Sequence, residues 1–117
     1  MSKHDPLAIA EGLGPFDFHE IATFNDGALH MYFGDHLDAS DWELHPDTDE
    51  FLMVLSGEVT VEILTTTGGE RLRLGPGQFA IVPRGHWHRH LDIDNVVEMF
   101  YTPGDTVEST AADPRTA

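Results

Sequence analysis

The chain has 117 residues, enough for one domain that buries about two-thirds of the surface its unfolded form exposes, and too few for two such domains. Its 21 acidic and 6 basic side chains leave a formal net charge of -15 at pH 7, a field that repels nucleic acid and anionic membranes, so neither is expected as a partner. There is no cysteine, which excludes disulfides and thiolate metal ligands, and any metal must be held by nitrogen and oxygen.

Residues 1 to 15 carry Pro6, Gly12, Gly14 and Pro15 with little periodicity, and an N-terminal arm is expected there. The apolar stretch Leu7 to Ala10 is too short for a signal-peptide core and no window approaches a membrane span, so a soluble, cytoplasmic protein is expected. After residue 15, short runs rich in Val, Ile, Leu and Phe are separated by Gly, Pro, Asp and Asn at intervals of about ten residues, the spacing of an all-β sandwich or barrel. Phe51 to Leu55 and Gln78 to Val82 are continuous apolar runs, which predicts strands covered on both faces. Ser56-Gly57 reads as the turn into a hairpin of Glu58 to Leu64 and Glu70 to Leu74. With Thr66 to Gly69 as its loop, Ile63 faces Leu72, Val61 faces Leu74, and Glu62 meets Arg73 as an exposed pair. Trp87 and Phe79 are assigned to packing in the core. Val96 to Tyr101 forms a closing strand, and the facing of Glu98, which shares parity with Val96 and Phe100, stays open. Residues 105 to 117 are expected as a C-terminal tail, leaving 16 to 104 as the folded domain.

The chemistry lies in two strings. Forward from His45 come four residues, Glu50, six residues and Gly57; forward from Gly77 come five residues, Pro83, one, Gly85, two, His88, three and Asp92. Together they resemble the paired motifs of the cupin superfamily, over about residues 43 to 92, with 19 residues between Gly57 and Gly77. The resemblance implies a small single-domain cupin, that is, a double-stranded β-helix or jelly-roll barrel, often a homodimer. It also implies a divalent metal inside the barrel, held by His45, Glu50 and His88. The first histidine of the family's motif falls on Glu43, and its asparagine on Asp92. Glu43 and His45 are two residues apart, so an extended strand points both side chains to one face. A set of two histidines and two carboxylates, Glu43, His45, Glu50 and His88, suits Zn(II), Fe(II), Mn(II) or Ni(II).

His86, His88 and His90 alternate and would share one face of a continuing strand, but only His88 falls on the motif. Arg84 and Arg89 are assigned to surface ion pairs. Phosphate-cradling loops, dinucleotide fingerprints and nucleophile elbows are absent from the sequence. Two functions fit these residues: a metal-dependent enzyme of oxygenase, isomerase or lyase type acting on a small organic molecule, and a small-ligand binding or sensing module without catalysis. A third reading, a structural barrel, requires a pocket blocked by a bulky side chain such as Phe51 or Trp87.

Overall fold

The computed structural model describes residues 1 to 116, as a curled antiparallel sheet preceded by a short helix, α1 (Pro6–Ala10). The strands are β1 (Phe18–Phe24), β2 (Gly27–Ala39), β3 (Trp42–Leu44), β4 (Glu50–Leu64), β5 (Gly69–Leu74), β6 (Phe79–Val82), β7 (His88–Tyr101) and β8 (Val107–Ser109). The architecture is the all-β cupin barrel expected from the strand rhythm and the motifs. No helix among the described residues is long and apolar enough to cross a membrane.

Strand β7 is the spine: one edge pairs with β2, the other with β4, and its first residue, His88, lies opposite Glu43 of β3. Strand β4 serves both halves of the barrel, since Glu50 to Met53 pair with β6 and Val59 to Leu64 pair with β5. Leu52, Val54, Val59, Val61 and Val96 meet in the core. Burial of these branched side chains, at about 25 cal/mol per Å² of apolar surface removed from water, is what holds the barrel shut.

The inward-facing residues of β4 are even-numbered at Glu50, Leu52 and Val54 but odd-numbered at Val59, Val61 and Ile63. A change of parity requires an extra residue in the ladder, and the register shifts between Val54 and Thr60 supply it. Gly57 has φ +72°, and a Cβ there would overlap the Asn95 carbonyl oxygen of β7 and stand 2.6 Å from that of Asp94. Ser56-Gly57 is therefore a bulge inside one continuous strand, not the hairpin turn expected from the sequence. Strand β7 answers with two left-handed residues of its own, Asp92 (φ 48°) and Asn95 (φ 47°). Both are residue types that tolerate this conformation, which accounts for aspartate serving where the family's motif has asparagine.

Other expectations are corrected as well. The β4–β5 hairpin pairs Val61 with Leu72 and Val59 with Leu74, two residues from the expected register, because the turn is Thr65 to Gly68 and Gly69 joins the strand. Thr65 closes that turn, its N–H bonding the Gly68 carbonyl at 2.9 Å and its hydroxyl accepting from the Gly68 N–H at 3.1 Å. Glu62 is not an exposed partner of Arg73: it is buried and accepts from Arg71 at 2.7 Å and Arg89 at 2.8 Å, with Arg89 also 4.3 Å over the Trp42 ring. Strand β6 is covered on one face, not two, since Ala80 and Val82 are buried while Phe79 and Ile81 are exposed, and the outer side of the β4 run, Phe51, Met53 and Leu55, is only half-buried. Phe79 is thus outside the core, and Trp87 is only half-buried in the turn before β7.

The terminal segments are not loose ends. Helix α1 lies against β2 and β7. Within the segment expected as a tail, β8 pairs with β3, and its neighbour Thr106 reaches the site described next. Ala117, the last residue of that segment, lies outside the described residues.

Candidate metal centre and adjoining cavity

Glu43, His45, Glu50 and His88 come together, each offering one ligand atom within 4.8 Å of the others. Pairing of β3 with the start of β7 sets Glu43 beside His88. His45 follows β3 directly and is tied down through its carbonyl, which accepts from the Gly85 N–H at 2.8 Å, so the Pro-x-Gly turn also positions the first string. Glu50 opens β4 on the inward parity of Leu52 and Val54.

One carboxylate bridges both imidazoles. His88 Nε2 is 3.2 Å from Glu50 Oε1 and His45 Nε2 is 3.3 Å from Glu50 Oε2, while Glu43 Oε2 is 4.0 Å from each histidine. Bonds of about 2.1 Å to one ion set neighbouring ligand atoms roughly 3.0–3.4 Å apart, so the Glu50 contacts already have that spacing and Glu43 must close in by about half an ångström. His45, Glu50 and His88 are buried, whereas Glu43 retains 42% of its side-chain exposure.

The far nitrogen of each ring is held from behind. His45 Nδ1 meets the Thr106 hydroxyl at 3.0 Å, and His88 Nδ1 meets the His86 carbonyl at 3.3 Å. Such outer contacts orient an imidazole and leave Nε2 as the inward donor, the arrangement seen around metal-bound histidines. His45 Nε2 is, with Trp42 Nε1, one of two buried side-chain polar atoms that lack a hydrogen-bond partner among the described residues. An orphaned, buried nitrogen aimed at two carboxylates and a second imidazole fits a divalent ion, and the nitrogen and oxygen donors suit Zn, Fe, Mn or Ni.

Electrostatics within the group are strongly perturbed. Burial pushes the Glu50 carboxyl up, but hydrogen bonds and charge from His45 and His88 outweigh it and hold the pKa near about 2. The Glu50 carboxylate, 3.3 Å away, raises His45 above the usual imidazole range, against the opposing effect of burial. Glu43 is raised by burial and then by the neighbouring Glu50 charge. Without a cation, the two carboxylates therefore repel one another.

Beside this group opens a cavity of about 120 Å³, walled by Phe16, Phe18, Tyr32 and Phe100 and reached by Glu43 and Glu50. Neither Phe51 nor Trp87 lines it, so the blockage that a purely structural barrel requires is missing. Its deep wall carries a second ionisable pair, in which His90 Nε2 lies 2.8 and 3.0 Å from the two oxygens of a fully buried Glu98. Burial lowers the His90 pKa, but Glu98, with Glu50 and Glu43 beyond, reverses this and raises it to about 9. The Tyr32 hydroxyl is pushed well above the normal phenol range, first by burial and then by the Glu98 charge.

Of the residues weighed from the sequence, the structure thus groups Glu43, His45, Glu50 and His88, places His90 and Glu98 on the adjoining cavity, and leaves the His86 ring outside, against the Arg84 carbonyl at 3.0 Å. Arg84 makes the expected surface pair with Asp49 at 3.1 Å. Sequence reasoning missed Thr106 altogether, for no motif marks a threonine that returns to His45 from 61 positions away, just before β8.

A curled antiparallel barrel with an inward-facing His and Glu cluster on paired strands defines the cupin class. The family profile described as the cupin domain matches residues 30–102, more than half of the chain, and the protein belongs to that family. Comparison with curated protein sequences found no match. Among solved structures it is similar to a hydroquinone 1,2-dioxygenase from Sphingomonas sp. TTNP3 with 4-hydroxybenzoate bound, at 16% identity and TM-score 0.67 over 82% of this chain and 70% of that one. A cupin-2 domain protein from Shewanella frigidimarina NCIMB 400 is 20% identical with TM-score 0.61, covering 83% and 84% of the two chains. An oxalate decarboxylase from Lactobacillus farciminis is 13% identical with TM-score 0.60 over 69% of this chain, which spans only 26% of the decarboxylase. At these identities the likeness concerns the fold alone.

Proposed function

We propose that this protein is a metal-dependent enzyme in which Glu43, His45, Glu50 and His88 hold one divalent ion, Zn, Fe, Mn or Ni, next to a cavity that takes a small organic molecule. The observation that carries this reading is the buried His45 Nε2, 3.3 Å from Glu50 Oε2 without the alignment of a hydrogen bond, with its Nδ1 held in place by Thr106. When bound, such an ion supplies Lewis acidity toward an oxygen of the substrate. The rest is done by the chain. Glu50 stays ionised across the physiological range and orients both imidazoles. The aromatic wall presents an apolar face to the substrate, and Tyr32, kept protonated, directs its hydroxyl to Glu98. His90 Nε2 holds a proton against Glu98 within the same cavity. That ionisable pair, which no metal set requires, favours catalysis over passive ligand sensing.

Elemental analysis of protein purified without a metal-affinity tag tests the reading. It expects about one equivalent of metal per chain, lost in His88→Ala. A well-folded protein that takes up none after repletion with Fe, Mn, Ni and Zn defeats it.

The same reading includes a homodimer. Phe79 and Ile81 of β6 are 58% and 50% exposed beside the half-buried Phe51 and Met53 of β4, an apolar sheet face that a second copy would cover. Analytical ultracentrifugation is expected to give twice the chain mass, and the chain mass for a Phe79→Glu, Ile81→Glu variant.

A further inference from the structure

The cavity beside the four-residue cluster carries information about what it takes, and that information lies in its walls rather than in the cluster. Four aromatic rings form one side. Phe18 stacks on Tyr32 at 5.3 Å and meets Phe100 edge-on at 6.0 Å, and the Phe16 ring also lines the space. Phe16 is held at φ +62°, a conformation that a bulky residue adopts only at a cost, and its N–H is tied to the Phe33 carbonyl of β2 at 2.6 Å. The fold therefore holds a strained residue in place on the cavity wall, where Phe16 also packs against the core. At about 120 Å³, the volume is close to the roughly 150 Å³ of a dry cavity that accepts benzene, so the space matches a single ring.

The other side is acidic. Glu43, Glu50 and Glu98 all line the cavity, and no lysine or arginine does so among its described lining residues. A divalent ion offsets Glu43 and Glu50, and His90 on the same wall holds its proton against Glu98, so no unpaired cation is left to receive a carboxylate or phosphate on the ligand. What such a wall can receive is a hydrogen-bond donor. Glu98 accepts from His90 through both oxygens, at 2.8 and 3.0 Å, and the Tyr32 hydroxyl also bonds to it, but a carboxylate has about four acceptor positions, so capacity remains for one more donor.

We propose that the cavity binds an uncharged, hydroxylated single-ring compound of the phenol class, its ring against Phe18 and Phe100 and its hydroxyl donating to Glu98. This rests on the functional reading above for the role of the neighbouring ion but not for the recognition itself, which uses only side chains of the chain. A small dicarboxylate is disfavoured, because it would meet three carboxylates in a site whose one cationic side chain, His90, is already paired with Glu98.

Isothermal titration calorimetry on the full chain, in metal-stripped and Zn-loaded forms whose metal content is measured independently, tests this with hydroquinone, toluene and oxalate as probes. Hydroquinone is expected to bind both forms at least tenfold more tightly than toluene, with no measurable binding of oxalate to the metal-stripped form. Phe18→Ala, at a position 68% exposed and so of small consequence for folding, is expected to weaken hydroquinone and toluene together by tenfold or more. Glu98→Gln is expected to weaken hydroquinone alone and so remove most of the preference over toluene. Toluene binding as tightly as hydroquinone, oxalate binding the metal-stripped form, or hydroquinone indifferent to Phe18→Ala would each overturn the proposal. Hydroquinone binding by a chain that takes up no metal supports this inference while sinking the metal reading. Metal uptake without hydroquinone binding does the reverse.

Discussion

Glu43 occupies the position where the family's motif carries a histidine, and the substitution Glu43→Gln separates its two roles by sign. In the metal-free protein its carboxylate is raised by burial and by the Glu50 charge, so ionised Glu43 is a cost to folding. Two charges at 4 to 5 Å repel by about 4 kcal/mol at an effective dielectric of 20 and by about 1 kcal/mol in water, and with Glu43 42% exposed the screened value is roughly 1–2 kcal/mol. Removing it should leave the metal-free variant as stable as the parent or up to about 2 kcal/mol more stable. For 117 residues the unfolding entropy is about 0.25 kcal/mol per degree, so this is a Tm increase of zero to roughly 8 °C. With metal the sign reverses. At a free metal concentration of 100 times Kd the parent gains about 2.7 kcal/mol, or roughly 11 °C; a tenfold loss of affinity reduces that gain to about 1.4 kcal/mol, or roughly 6 °C. Thermal unfolding followed by circular dichroism, after chelation and again with Zn(II) or Mn(II), reads both. A variant less stable than the parent without metal, or one that keeps the full metal gain, refutes the argument.

Thr106→Val removes the hydroxyl behind His45 from an exposed position, and metal affinity should fall about 10- to 100-fold in a competition titration with little change in metal-free Tm. Gly57→Ala places a Cβ against the Asn95 carbonyl at φ +72°, and urea unfolding should register a loss of roughly 3 kcal/mol or more, combining left-handed strain with forced separation of β4 and β7. The His90 pKa, raised from 6.5 to about 9, means that the pair with Glu98 contributes its full stability below pH 6.5 and loses it as pH climbs through 9. The loss amounts to roughly 3 kcal/mol, and denaturant midpoints of the metal-free parent should decline over that window while those of Glu98→Gln stay flatter. Metal affinity should rise with pH through the elevated His45 titration, because the ion must displace the proton that Glu50 helps to hold there; zinc titrations at several pH values measure that slope.

The spacing of His45, Glu50 and His88 was legible because each falls on a short local string, a strand end or a Gly turn, whose geometry neighbouring residues set. Pairing Glu43 with His45 was legible for the same reason, since strand alternation is a local rule. Glu98 does share the inward face with Val96 and Phe100, as its parity allowed, but its pairing with His90, eight positions back across the left-handed Asp92 and Asn95, was not legible from local alternation. The hairpin register slipped by two because Thr65 closed the turn earlier than the glycines suggested, and an even slip left every side chain on its expected face.

By itself, then, the chain's order of residues determined the all-β class, the cupin motifs and the four clustered side chains, all of which follow from patterns within a few positions. Only the tertiary structure decided that Thr106 backs His45, that Glu98 is buried against His90, and that aromatic rings from the segment before β1, from β2 and from β7 wall one cavity. Those contacts join residues separated along the chain by bulges and crossovers. Their meeting is set by closure of the barrel, a condition on the whole chain that no local pattern encodes.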